Sequence, residues 1–256
     1  MSFEIYDCDA RSVKLQSAIL LYGSSNSYDA ISYATIHRVE CGKGDTAPVI
    51  RAGRPVDRAS LKAVCTGLME ASHVRSGVLP DNILSVGLEH IVWWQRPGQR
   101  TYFFDTRPGA DGSTNFNVGK RGGMALTPGL VFVAKDQNMM VFAVKGDVRP
   151  DAATPLHHAP LMNIYEDGRV CTGSMPLPDS TMAESVETWE KAFWGSHFTH
   201  PNHSKPLNYK GGIHAFSIDL LDGKFKKFPM RVLRPIKGLI LGRLVDRLDG
   251  IKEGRA

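Results

Sequence analysis

The sequence predicts an α+β protein built around an antiparallel meander, and three observations predict it. A block of β-branched and aromatic runs between residues 83 and 144 is broken by turn residues. An apolar stripe of helical spacing precedes that block, and a second follows it. β-Branched and aromatic side chains suit a pleated surface, whereas apolar residues at i, i+3, i+4 and i+7 make one face of a helix.

The elements follow in order. Residues 17–22 and 32–39 read as short strands separated by Gly, Ser and Asn punctuation. A helix comes next, capped by Asp57 or Ser60, with Leu61, Val64, Cys65 and Leu68 on one face. That stripe places Cys65 in the core. Strands are expected at 83–86, 91–94, 101–104, 130–133 and 140–144, with Lys135-Asp-Gln-Asn138 turning the last two into a hairpin. Trp93, Trp94, Tyr102, Phe103 and Phe104 read as sheet core rather than a base-stacking platform. Residues 107–123 read as an exposed loop ending in a flexible basic turn, Gly119-Lys-Arg-Gly-Gly123. That turn lacks the Gly-Lys-Ser/Thr ending of a phosphate loop. Pro150, Pro155 and Pro160 then break regular structure.

Thr181-Met-Ala-Glu184 is a capping-box pattern, and Met182, Val186, Trp189 and Phe193 repeat with helical spacing after it. The tail reads as a strand pair, 214–220 and 225–233, around Asp222-Gly223. It ends in a helix carrying Ile236, Ile240, Leu244 and Leu248. Packing on the body is the simplest use of that stripe, and a membrane-surface or partner-binding helix is the alternative. The organisation expected is an N-terminal β extension over 1–56, a core over 57–205 and a basic C-terminal extension over 206–256.

With 256 residues, 42% hydrophobic and 22% charged, the chain has the composition of a globular protein able to bury a sizeable core. No apolar run reaches the roughly eighteen residues of a membrane-spanning helix. The start, Met-Ser-Phe-Glu-Ile-Tyr-Asp, lacks the layout of a secretory signal, so a cytoplasmic location is expected. Cys8, Cys41, Cys65 and Cys171 have no paired spacing, which suits reduced thiols better than a disulfide framework or a zinc site. The net charge of +5 is local in origin: residues 224–255 hold ten Lys and Arg against three acids. A solvated surface is the simplest reading of that tail, with an acidic partner or nucleic acid as alternatives. No dinucleotide fingerprint, nucleophile-elbow Ser or zinc-protease motif is present, and no cofactor is expected.

The chemistry concentrates in Asn163-Ile-Tyr-Glu-Asp-Gly-Arg-Val-Cys171. An amide and a thiol stand at the two ends of a short loop that Gly168 allows to turn. A thiolate can carry an acyl group, and an Asn amide can receive the negative charge of the tetrahedral intermediate. A hairpin turn with a buried Cys is the alternative. His197, His200 and His203 invite a metal reading, with His157 and His158 upstream. On a helix, spacing of i, i+3, i+6 swings the third ligand off the face, and Pro201 argues against a helix there, so a polar loop is preferred. In a third reading, His157, His158 or His200 sits near Cys171 and serves proton transfer.

The same residues carry a resemblance. In ubiquitin-conjugating enzymes a His-Pro-Asn tripeptide is followed by an apolar residue, a turn containing Gly, another apolar residue and the acceptor Cys. The segment Leu161-Met162-Asn163-Ile164, Gly168, Val170-Cys171 resembles that motif and keeps its Asn-to-Cys interval, with Leu161 and Met162 where the family has His and Pro. His200-Pro201-Asn202 lies after the Cys and is not that motif. From about residue 57 to 203 the chain is similar to bacterial members of the superfamily, most closely to protein B of the PRTRC cassettes of plasmids and other mobile genetic elements. The resemblance implies a ubiquitin-conjugating-like core of helix, meander, Cys loop and covering helix. It also implies a transferase that carries a ubiquitin-like protein as a thioester on Cys171, with Asn163 at the oxyanion. The partners implied are a ThiF-type activating enzyme, the ubiquitin-like protein and the JAB-type peptidase of the same cassette. A non-catalytic interaction module, with Cys171 packed and the basic tail on a partner or nucleic acid, is the reading from a different class.

Overall fold

The computed structural model describes residues 16–23, 31–40, 48–71, 78–87, 89–107 and 117–250. Cys8, Cys41 and most of the expected 107–123 loop lie outside them. The chain divides into two compact units, residues 1–77 and 78–256.

In the first unit, β1 (Ser17–Gly23), β2 (Ile31–Glu40) and β3 (Val49–Pro55) form an antiparallel sheet in that order. Helix α1 (Arg58–Ala71) follows, so this unit reaches beyond residue 56. Asp57 caps the helix: its Oδ1 accepts the Ser60 N–H at 2.7 Å, one of the donors a helix start leaves over. The expectation of a core Cys65 is corrected, because Leu61 and Cys65 both face solvent and Ser60 is the buried side chain among those described on α1. Strand β3, Val-Ile-Arg-Ala-Gly-Arg-Pro, is an addition to the sequence reading.

The second unit contains β4 (Ile83–Val86), β5 (His90–Gln95), β6 (Gly98–Asp105), β7 (Lys120–Thr127), β8 (Gly129–Lys135), β9 (Asn138–Val144) and β10 (Pro155–His158). After these come α2 (Val186–Trp194), β11 (His197–Phe198), α3 (Gly212–Leu221), β12 (Pro235–Ile240) and α4 (Leu241–Leu248). Six strands form a wholly antiparallel sheet in the order β12-β10-β9-β8-β5-β4. Successive side chains of a strand point to opposite faces, and here both faces are covered. Ile91, Trp93, Phe132 and Val141 face one cluster, which takes in Trp189 and Phe193 of α2 and Phe216 of α3. Val92, Trp94, Val133 and Phe142 face the other, closed by Leu239, Leu241 and Leu244 from β12 and α4. Strands buried on both faces read as continuous apolar runs, and residues 91–94 of β5 and 130–134 of β8 are such runs.

Helix α2 is tied to the sheet by Glu190, whose carboxylate accepts Trp93 Nε1–H at 3.0 Å and Gln95 Nε2–H at 2.8 Å. Immediately after α2, β11 pairs parallel to β6 in a second sheet of order β11-β6-β7, with His197 opposite Phe103. That pairing fixes where the chain leaving α2 can go. Val186, Trp189 and Phe193 are buried as the helical spacing requires. The capping box is not formed: a 3₁₀ turn, Ala183–Ser185, precedes α2, and it is the Ser180 hydroxyl that accepts the Met182 N–H at 3.2 Å.

Three further expectations are corrected. Residues 120–123 are not a turn but the start of β7, paired along its whole length with β6. Their glycines suit close packing, since a Cβ on Gly123 would stand 3.3 Å from Leu221. The C-terminal β-hairpin does not exist: 214–220 lies in α3, and 225–233 is irregular with a 3₁₀ turn, Met230–Val232. In α3, Phe216, Ile218 and Leu220 alternate with Ser217 and Asp219, which imitates a strand, while burial on several sides conceals the helical period. Ile236 and Ile240 belong to β12, so the four-residue stripe of the tail crosses a strand–helix junction. Among the described residues, no helix is long and apolar enough to cross a membrane.

Candidate active site

Residues 163–171 fold into a two-sided finger. Ile164 and Val170 form an antiparallel bridge, Cys171 N–H donates to the Asn163 carbonyl at 2.7 Å, and Tyr165 N–H to that of Arg169 at 2.8 Å. A turn closes the tip, with Gly168 N–H on the Tyr165 carbonyl at 3.0 Å. Ile164 and Val170 are only 3% and 8% exposed and anchor the finger in the core. Alternation then puts Asn163, Tyr165, Arg169 and Cys171 on the other side. The returning arm docks on β9, where Val141 N–H donates to Gly168 and Val170 N–H to Met139, both at 2.8 Å. Gly168 has φ +91°, and a Cβ there would stand 2.5 Å from carbons of the Phe142 ring, so the turn requires glycine twice over. Leu161 and Met162, in the places of the family's His and Pro, are core residues. Apolar burial holds this loop where the family uses an imidazole.

Asn163 is 8% exposed and adopts φ +60°, a left-handed conformation that Asn tolerates better than most residues. Its carboxamide holds the segment beyond α2. Nδ2 donates to the His197 carbonyl at 2.7 Å, and Oδ1 accepts Thr199 N–H at 3.0 Å, Thr199 Oγ1 at 3.1 Å and His200 N–H at 3.3 Å. A primary amide has two N–H donors, so one hydrogen stays available beyond these contacts.

Cys171 is half-buried and, with Asn163, lines a cavity of about 410 Å³. The walls are residues 172–176, the C-terminal end of α2 with Lys191 and Gly195, and the stretch holding His197, Thr199 and His200. The structure therefore brings Cys171, Asn163 and His200 to one cavity. His200 Nδ1 lies 2.8 Å from Thr199 Oγ1.

His157 and His158 stand elsewhere, on β10, and neither lines the cavity. Burial, and then Lys145, pushes the His157 imidazole below its ordinary pKa. His158 packs edge-on against His203 with ring centres 4.5 Å apart, and burial, then His203 and Arg234, lowers its pKa. The third member of the His197, His200, His203 series thus turns away to a separate pair. Among the described residues, no group of three His, Cys, Asp or Glu is arranged to hold a metal ion.

Tyr165 is the neighbour that sequence reasoning missed. The Cys171 side chain beside it raises its phenol above the ordinary tyrosine pKa, so it keeps its proton. The Arg169 guanidinium sits 5.7 Å from the Tyr165 ring centre. The clue was present in the sequence: if Asn163 and Cys171 pair across a hairpin, residue 165 falls on the same side as both.

No curated protein and no solved structure matches the chain. The model of prokaryotic E2 family D matches residues 60–236, a span that takes in the finger, the cavity and every strand from β4 to β11, and it agrees with the likeness to the PRTRC protein B family. Since that match covers more than half of the chain, the protein belongs to prokaryotic E2 family D.

Proposed function

We propose that this protein is a ubiquitin-conjugating-like carrier that holds a ubiquitin-like protein as a thioester on Cys171 and passes it to an amine. The observation that carries this reading is the joint position of Cys171 and Asn163 on one finger and one cavity. Family membership supports the reaction class.

In the loading step the Cys171 sulfur attacks the C-terminal carbonyl of the ubiquitin-like protein, which arrives as a thioester of a ThiF-type activating enzyme. The new C–S bond forms at Cys171, and the activating enzyme's thiolate leaves. In transfer, an amine attacks the same carbonyl, the C–N bond forms, Cys171 departs as thiolate and the amine gives up a proton. His200 is the candidate to take that proton, because it lines the cavity. Asn163 contributes its remaining amide hydrogen to the oxyanion and keeps the 197–200 wall in place. The JAB-type peptidase of the same cassette would reverse or process the product.

Mixing the protein with ATP, the activating enzyme and the ubiquitin-like protein tests the reading on a non-reducing gel. A reductant-sensitive adduct is expected with the wild type and none with Cys171→Ala. Cys171→Ser should give a thiol-resistant, hydroxylamine-sensitive ester. Absence of any adduct under conditions that load a known carrier would defeat the proposal.

One observation favours a second reading. The Asn163 carboxamide already makes four hydrogen bonds to 197–200, as a purely structural clamp would. In that reading the protein is a non-catalytic interaction module. A Cys171 that alkylates no faster than a model thiol at neutral pH would favour it. Binding of the basic tail to nucleic acid would have to fall steeply with salt.

A further inference from the structure

The neighbours of the Asn163 carboxamide permit it one orientation. Two backbone N–H groups, of Thr199 and His200, reach one of its terminal atoms at 3.0 and 3.3 Å, so that atom is the oxygen. The His197 carbonyl lies 2.7 Å from the other, which is the NH2 group. Oδ1 carries no hydrogen, so the Thr199 hydroxyl, 3.1 Å away, donates to it. A hydroxyl has a single hydrogen to give. His200 Nδ1, 2.8 Å from the same Oγ1, is therefore left as the donor in that contact, and the hydroxyl accepts from it. Asn163 N–H on the His200 carbonyl at 2.9 Å ties the two backbones together.

From these directions we propose that Thr199 is a positioning residue for His200: its hydroxyl holds the neutral imidazole as the Nδ1–H tautomer, which leaves Nε2 as the nitrogen that takes a proton. A neutral imidazole has one donor and one acceptor nitrogen, and the bond made by one sets the state of the other. The inference rests on the reading of His200 as the proton acceptor in transfer. An attacking amine gives its proton to Nε2 as the C–N bond forms and Cys171 leaves as thiolate. The resulting imidazolium keeps its Nδ1–H on Thr199 Oγ1, now as a charge-assisted bond. No hydrogen bond in the chain from His200 through Thr199 to Asn163 has to reverse. The amide proposed as oxyanion donor thus also orients the proposed base. His200 shares its cavity with Cys171, Lys191 and His197, and a second recess with Asp105 and Arg107. Those are the charged and titratable groups that its own titration feels.

Two measurements on the full chain test this. With nitrogen-15 histidine at about pH 8, where a histidine is neutral, long-range nitrogen–proton correlation reads the His200 tautomer. Its signals are identified by their loss in His200→Gln. The wild type is expected to show a protonated Nδ1 and a bare Nε2, whereas a free imidazole favours the reverse. Thr199→Val, which keeps the shape without the hydroxyl, should lose that preference, and Thr199→Ser should restore it. Single-turnover discharge to an amine should slow about fivefold in Thr199→Val, the worth of one hydrogen bond, and return to within about twofold in Thr199→Ser. In the His200→Gln background, Thr199→Val should add less than about twofold, because its route to the proton is gone. If Thr199→Val does not fold, Thr199→Ala removes the same hydroxyl and should act in the same direction. An Nε2–H tautomer in the wild type, a tautomer indifferent to the hydroxyl, or a slowing that is equal with and without His200 overturns the proposal. Failure of the activating enzyme to load the wild type would instead count against the carrier reading and leave the tautomer readable.

Discussion

Cys171 N–H donates to the Asn163 carbonyl at 2.7 Å, so the two residues stand opposite each other across an antiparallel finger rather than merely near one another in sequence. The Asn163 main chain is bonded on both sides, its own N–H reaching the His200 carbonyl at 2.9 Å. One residue therefore ties the thiol loop to the segment that follows α2.

Replacing Asn163 by Ala removes the proposed oxyanion donor together with the clamp on residues 197–200. Transfer to an amine should slow by about 10²–10³, the cost of one preorganised oxyanion donor, while thioester loading persists. Asn163→Asp separates the roles, since a carboxylate keeps the acceptor that holds Thr199 and His200 but loses the N–H donors. Single-turnover discharge of the loaded protein checks both. An Asp variant that discharges like wild type would assign Asn163 to the clamp alone.

Much of the second unit was legible in the sequence because β5, β8 and β9 carry unbroken apolar runs and the turns are marked by Asn, Asp and Gly. The finger was legible too, since Asn163, Gly168 and Cys171 carry its ends and its bend. What failed has physical causes. Strand β7 begins with basic residues and glycines that look like a turn until β6 is known to pair with them. Helix α3 is buried on too many sides to show a helical period, and Tyr165 joins the site only through pairing across the finger. The stripe from Ile236 to Leu248 describes two elements at once.

Gly168→Ala should be costly in folding. The methyl group meets the Phe142 ring at 2.5 Å, and alanine at φ +91° carries backbone strain of its own. Strained backbone alone is worth about 1–3 kcal/mol. Urea denaturation should show a loss of at least about 2 kcal/mol. A loss below about 0.5 kcal/mol would mean that β9 and the finger can part without penalty.

Stability should fall on mild acidification. His157, His158 and His203 all have folded-state pKa values below the ordinary 6.5, in each case chiefly because burial disfavours the charged ring. His158 and His203 face each other, with Arg234 opposing their charge and Glu166 favouring it. The unfolded chain therefore binds protons first as pH drops. The contribution is whole above about pH 6.5 and is lost below it, toward the depressed folded values. Melting temperatures should hold steady from pH 8 to 7 and decline from 6.5 to 5, with a shallower decline in the double variant His158→Gln, His203→Gln. An equal slope in wild type and variant would remove these rings as the cause.

Glu190 links the wall of the cavity to the sheet. Its two oxygens accept from Trp93 and Gln95, and the next residues of α2, Lys191 and Ala192, line the cavity. Glu190→Ala leaves two buried donors without their acceptor, and each such donor costs about 1–3 kcal/mol. Glu190→Gln keeps one acceptor oxygen and should cost roughly half as much. Because the carboxylate also fixes how deep α2 sits, the Ala variant should change the rate of thioester discharge as well as the urea midpoint. The Gln variant should move the midpoint alone. Discharge that follows stability in both variants would make Glu190 a fold residue with no bearing on the cavity.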